Sequence, residues 1–246
     1  MQFHNLFSAY DFEEPGIYDN SIVIMIDVLR TSTTVCSALF NGATSIIPCG
    51  SYEQAKYIYG EQKNKRLFIL AGEENSVPPE GFTLGNSPLE YTIDVVKNKT
   101  IILATSNGTK IFEKAETAVH KIIGSFVNAR TVLEFVESSM KFNVDKIITI
   151  CGGSNREIAA EDVLCAGMYL DEISAHFTTP QLSDAAKVAI DFFVANHDNI
   201  KNVVSQSQHA KNLRSKGFAK DIAFASTLDR CAVLPLIQED LTIIKA

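Results

Sequence analysis

The sequence predicts an α/β fold, three-layered (α/β/α) around a largely parallel or mixed sheet, and three observations predict it. Apolar runs of strand length alternate with helical periodicities along most of the chain. Some of these runs, 22–26 above all, are apolar throughout, the pattern of a strand buried on both faces. Four of them end in loops rich in Asp, Arg, Ser, Thr, Asn and Gly: residues 27–34, 72–75, 105–109 and 151–156. If the strands are parallel, all four loops gather at one edge of the sheet, where open α/β sheets bind ligands.

Taken in order, residues 3–9 alternate weakly as a first strand, and 11–19, with Pro15-Gly16, form a loop. The strand 22–26 follows. After it a helical pattern through Val35, Ala38, Leu39 and Phe40 stops at Asn41-Gly42, a good helix C-terminus. Residues 45–48 form a short strand. Ser51 and Gln54 fit a capping box that opens a helix to about 62. Residues 66–71 are a strand, and 76–86 a loop rich in Pro and Gly. Ser87 and Glu90 read as a second capping box, with Pro88 in the first turn. Residues 100–104 and 119–124 are strands separated by a short helix at 110–115. Asn128 caps a helix to about 140, and 145–150 is the next strand. A long helix spans about 159–173. Two more occupy 183–195 and 199–216, the second closed by Gly217, and strands at 231–237 and 241–244 end the chain. The expected organisation is a single domain over 1–246, with the helical block at about 174–220 as a second subdomain.

The chain has 246 residues, 46% hydrophobic and 21% charged, as in an ordinary globular protein. A net charge of −7 argues against nucleic acid as a partner, because a phosphate backbone requires a basic face. Local groups can still hold a small anion. Five cysteines without a CxxC pair support neither a disulfide framework nor a zinc knuckle. The first residues lack the basic and apolar regions of a signal peptide, and no apolar run approaches a membrane span. A cytoplasmic location without a membrane partner is expected, and a homo-oligomer stays open.

Asp27, directly after a buried strand, can ligate a metal, attack as a nucleophile or cap the next helix. Arg30 close by lets the pair hold a metal or an anion. Thr105 to Thr109 (TSNGT) resembles an anion nest at a helix start, though the same residues make plain turns. Cys151 and Arg156 have four residues between them, one short of the cysteine phosphatase loop, so a buried strand-end thiol is the simpler reading. Glu161 and Asp162 lie in an apolar helix, about 100° apart, so one of them faces inward. An inward acid is costly unless it meets a metal or a donor. Glu73 and Glu74 read as loop acids, and the five histidines form no ligand pattern.

The motifs together are similar to a known family. IDVLRTSTT at 26–34, GFTLGNSP at 81–88, TSNGT at 105–109, FVNA at 126–129 and EDVLCAG at 161–167 resemble the 2-phosphosulfolactate phosphatases. Asp221-Ile-Ala-Phe, Asp229 and Pro235 fit too, so the likeness runs in order from about 20 to 236. The resemblance implies a Mg²⁺-dependent phosphatase that converts (R)-2-phospho-3-sulfolactate to 3-sulfolactate, a step towards coenzyme M. One departure is Gly72-Glu73-Glu74 where the family usually reads Gly-Glu-Arg, one cation fewer beside the site.

On this basis Asp27, with Glu161 or Asp162, is expected to hold Mg²⁺ and to be catalytic. Asn107, Gly108 and Thr109 would cradle one anionic group of a small phosphorylated substrate, and Arg30, Ser32, Thr33 and Thr34 another. Asn86 and Ser87, with Cys151 and Gly152, would complete the pocket. A water activated by the metal is the expected nucleophile. Aspartyl-phosphate chemistry would want a second Asp two residues after Asp27, where this chain has Leu29. An anion-binding protein without catalysis and a thiol-dependent phosphatase are the competing readings.

Overall fold

Strand β2 (Ser21–Ile26) is buried at every position, as its unbroken apolar run requires. In this computed structural model, which describes residues 1–11, 15–105, 112, 114–140, 143–154 and 157–246, it lies deep within a ten-stranded sheet. The other strands are β1 (Gln2–Leu6), β3 (Ser45–Cys49), β4 (Phe68–Gly72), β5 (Thr100–Ala104) and β6 (His120–Gly124). They continue with β7 (Lys146–Cys151), β8 (Gln181–Leu182), β9 (Pro235–Ile237) and β10 (Ile243–Lys245). The spatial order is β4-β5-β3-β10-β9-β6-β2-β7-β1-β8.

The sheet has two parallel arms, β4-β5-β3 and β6-β2-β7-β1-β8. Between them, β10 pairs antiparallel with β3 and with β9, and β9 pairs antiparallel with β6. Three reversals leave the two arms running in opposite directions, so the sheet is mixed and the premise of one shared edge fails. The joints to the arms are narrow, registered at Ile243 opposite Ile46 and Leu236 opposite Ile122.

Helix α1 (Thr31–Phe40) explains how the arms meet again. Nine of its ten positions, Thr31 to Leu39, are buried. Val35, Ala38 and Leu39 share one hydrophobic cluster with Val23 and Met25 of β2, Ile46 of β3, Ile69 and Ala71 of β4 and Ile101 and Leu103 of β5. In a flat sheet β4 and β2, six strands apart, would be separated by ~29 Å. A ten-residue helix is only ~15 Å long and ~10 Å wide. Both arms can pack on it only if the sheet coils around it.

The other face is covered in two parts. Strand alternation sends Ile22, Ile24 and Ile26 to the side opposite Val23 and Met25. There they meet helices α4 (Ala129–Ser139), α5 (Ala160–Ser174), α6 (Asp184–Val194), α7 (Ile200–Gln206), α8 (Gln208–Ser215) and α9 (Ala219–Ala225). Val204, Ala210, Leu213 and Ile222, from the block at 174–220 and just beyond it, belong to the same cluster as Ile24 and Leu164. Helix α2 (Tyr52–Gly60) covers the short arm through Ala55, against Leu70, Ile102 and Ala104. The remaining helix among the described residues is the single turn α3 (Ile93–Val96).

Several elements differ from expectation. Ser87 and Glu90 make no capping box. Residues 88–90 form one 3-10 turn, the Glu90 carboxylate accepts from the Gly85 N–H, and the Ser87 hydroxyl donates elsewhere. Asn128 reaches back to the Ser125 N–H instead of capping α4. The helix expected over 199–216 is broken at Ser207, whose backbone is extended (φ −61°, ψ 155°) and whose side chain caps α8. The strand expected over 231–237 shrinks to β9, because 229–233 runs alongside residues 126–127 instead of joining the sheet. Half of the helix expected at 110–115 (110, 111 and 113) lies outside the described residues.

Candidate active site

Asp27 sits where β2 ends and α1 has not begun, and 8% of its surface is exposed. Its backbone is pinned by the turn it opens. The Asp27 N–H donates to Ser32 Oγ (2.8 Å), the Ser32 N–H to the Asp27 carbonyl (2.8 Å), and the Thr31 N–H to Asp27 Oδ1 (3.3 Å). Burial pushes the Asp27 carboxyl up to about 6, with the Glu73 charge adding to it and the Thr31 contact opposing.

Asp162, on the first turn of α5, works as a splint. It accepts from the Val28 N–H at Oδ1 (2.8 Å) and from the Gly153 N–H at Oδ2 (3.1 Å). It thereby ties the loop after β2 to the loop after β7. Burial first, and then the charges of Glu161 and Asp27, hold its carboxyl well above the usual range. Glu161 beside it is only 1% exposed, and among the described residues neither of its oxygens has a hydrogen-bond partner. The His209 ring lies beside it, with Nδ1 at 3.7 Å from Oε1, and burial favours the neutral form of that ring. Burial raises this carboxyl to about 7, and the Asp27 charge adds to the rise.

Arg30 is committed to protein groups. Nη1 donates to Asp221 Oδ2 (2.9 Å), and Nη2 donates to Glu73 Oε2 (2.7 Å) and to the Ser76 carbonyl (2.8 Å). Its guanidinium lies 4.4 Å from the centre of the Phe218 ring. It thus joins the loop after β2 to the loop after β4 and to α9, and its Nε has no partner among the described residues. Ser87 Oγ donates to Asp221 Oδ1 (2.8 Å) and extends the network.

The hydroxyl cluster is engaged in the local fold. Ser32 Oγ accepts from Asp27, Thr33 Oγ1 donates to the Val28 carbonyl (2.8 Å), and Thr34 Oγ1 to the Asn86 carbonyl (2.8 Å). Asn86 is 1% exposed, and its side-chain oxygen has no hydrogen-bond partner among the described residues. Gly152 donates to the Ile26 carbonyl. Cys151 is fully buried, and burial, with Asp162 next, holds its thiol far above its normal value, so it stays protonated and a poor nucleophile.

The structure therefore brings together the loops after β2, β4 and β7, through Arg30–Glu73 and Asp162–Gly153. Asn107, Gly108 and Thr109, and also Arg156, lie outside the described residues. Sequence reasoning missed three contributors. Asp221 is on a short helix with no strong periodicity, and it is a charge buried to 3% exposure. Its place in the motif 221–224 was the only signal. His209 and Ser207 were hidden inside what reads as one continuous helix.

Chemically, the centre is three buried acids whose charges oppose one another, beside an arginine already paired. That arrangement favours a cation. No three His, Cys, Asp or Glu side chains among the described residues are gathered to hold a metal alone. Mg²⁺, however, is commonly held by one or two carboxylates plus water and substrate phosphate. Glu161 has both oxygens without a hydrogen-bond partner among the described residues, and Asp27 is near enough for its charge to raise the Glu161 pKa, so this hard-oxygen set fits such an ion.

The family model described as 2-phosphosulpholactate phosphatase matches residues 9–240. A probable 2-phosphosulfolactate phosphatase of Thermotoga petrophila is 35% identical over 222 residues, 90% of this chain and 91% of that protein. One from Clostridium novyi is 35% identical over 235 residues, 96% of each chain. One from Caldanaerobacter subterraneus is 32% identical over 219 residues, covering 89% and 88%. With a match of this extent, and the acids of 26–34 and 161–167 meeting in one place, the chain belongs to the 2-phosphosulfolactate phosphatase family, a family of phosphoric monoester hydrolases.

Proposed function

We propose that this chain is a Mg²⁺-dependent phosphatase that hydrolyses (R)-2-phospho-3-sulfolactate to 3-sulfolactate and phosphate. The observation that carries the metal is Glu161, a carboxylate buried to 1% exposure without a hydrogen bond to any of the described residues, beside a second buried acid. An uncompensated buried charge is expensive, and a bound cation offsets it. Asp27 and Glu161 would hold the ion, and Asp162 would keep the two loops in place beneath it. Mg²⁺ bound there would neutralise the phosphoryl oxygens and lower the pKa of water. Arg30 fixes the wall formed by residues 73–76. The relatives' printed names support the substrate.

Phosphate release from 2-phospho-3-sulfolactate, phospholactate and other small phosphorylated hydroxy acids, with Mg²⁺ and with excess chelator, tests the reading. Turnover that needs Mg²⁺ and is fastest on the sulfonated substrate supports it. Full turnover in chelator removes the metal, and preference for an unsulfonated acid reassigns the substrate.

A further inference from the structure

Helices α7 and α8 read in sequence as one helix, and the break at Ser207 has a consequence at the acid cluster. It sets Ser207 and His209, two residues apart, against Glu161. The Ser207 hydroxyl is close enough to lower the Glu161 pKa, yet outside hydrogen-bonding geometry. The His209 ring, mostly buried at 21% exposure, places Nδ1 at 3.7 Å from Glu161 Oε1. Burial holds the ring below the usual imidazole range, with the Glu73 charge opposing this and the Arg30 and Lys216 charges adding to it. In front of the pair is a cavity of about 190 Å³, lined in part by Ser154, Glu157, Glu161, Gln208, His209 and Asn212.

We propose that His209 is a positioning residue for the metal centre, its Nδ1–H orienting the Glu161 carboxylate towards the bound cation. The inference rests on the metal reading above and adds a residue to it. Carboxylates that bind metals are themselves held by outer hydrogen bonds, and Glu161 has no other group at ion-pair distance among the described residues. The gap of 3.7 Å is longer than a hydrogen bond and closes by a small rotation of either side chain.

The test is Mg²⁺ binding by calorimetry on substrate-free protein, with the melting temperature of each metal-free variant as a control. In His209→Ala the Mg²⁺ affinity should fall roughly 10- to 100-fold, the usual cost of losing an outer partner. His209→Asn should recover most of it, because the Asn Nδ2 hangs from Cγ as the histidine Nδ1 does. His209→Gln, whose nitrogen is one bond further out, should recover less. Wild-type affinity in a folded His209→Ala overturns the proposal while leaving the metal in place. A wild-type protein that binds no Mg²⁺ overturns the metal reading and the proposal with it. If His209→Ala does not fold, equal affinities for His209→Asn, His209→Gln and wild type overturn it.

Discussion

Asp27 decides what kind of centre this is. Asn would preserve its cap-like contact with the Thr31 N–H, since Asn serves that position about as well. Asp27→Asn should therefore stay folded. It should nonetheless lose turnover by about a thousandfold or more, because a catalytic metal supplies several kcal/mol of transition-state stabilisation. Kinetics against Mg²⁺ concentration checks this, and near-normal turnover with unchanged Mg²⁺ dependence would place the metal on another carboxylate. The same residue governs pH dependence. A folded pKa raised to about 6 from 3.8 means that the native state holds its proton more tightly than the unfolded chain. Stability is then fully present below about pH 4 and is lost as pH rises through about 6, by ~3 kcal/mol for a change of this size. Glu161, raised to about 7, extends the loss upward. The metal-free protein should melt several degrees lower at about pH 8 than at about pH 5, and saturating Mg²⁺ should restore it at the higher pH but not at the lower. Melting curves at the two pH values, with and without Mg²⁺, measure it. A metal-free protein equally stable at both would show that the acids are relieved by something other than protons.

Elements were legible in proportion to the strength of their periodic signal. The apolar runs of β2, β5 and β7 and the long helix α5 stand out, and the structure has them within a residue or two. The capping box at Ser51 is present, with the Gln54 N–H donating to Ser51 Oγ. At Ser87 the same pattern misleads, because Asp221, 134 residues away, takes the hydroxyl. No local rule reports a tertiary competitor of that kind. The break at Ser207 is invisible for a related reason: an extended serine between two polar turns costs little, and packing alone shows which face each half buries. Asp162 illustrates the limit at the site. An inward acid was foreseen at 161–162, but both acids turn inward, one to bind backbone and one to stay open. Close packing between elements is equally silent in sequence. Gly167 lets α5 press against α6, and a Cβ there would fall on the Ala189 carbonyl and 2.8 Å from Phe193 Cβ. Gly167→Ala should force the helices apart and cost ~1–3 kcal/mol by overpacking. A chemical denaturation midpoint reads the loss, and activity per folded molecule should be unchanged. A midpoint equal to wild type would mean that the crossing is looser than drawn.

At the level of the whole molecule, the site exists because the sheet coils. Two arms of opposite direction would present their carboxyl ends on opposite edges of a flat sheet, and Arg30 could never reach Glu73. Wrapping both arms on α1 brings those ends together, at 2.7 Å between Arg30 Nη2 and Glu73 Oε2. The sequence reading expected the loops to converge and found the wrong reason, because three-residue strands such as β9 and β10 carry no alternation long enough to betray their direction. These two strands are the joint between the arms. Deleting residues 235–246 should leave a chain without a cooperative thermal transition, although it still contains β1 to β8 and all nine described helices. Calorimetry reads this, and a sharp transition in the truncated chain would show that the arms hold together through α1 alone.

The place of β9 and β10 also sets an order of events during synthesis. They stand in the middle of the sheet but are the last of its strands to leave the ribosome. Until then β3 and β6 each offer an open hydrogen-bonding edge, with the apolar faces that α1 will bury already made. Such edges are templates for pairing with another chain. The newborn protein therefore passes through a stage at which a neighbouring copy can supply the missing strand, and the hazard to its yield in a cell lies in that interval, before the finished fold exists.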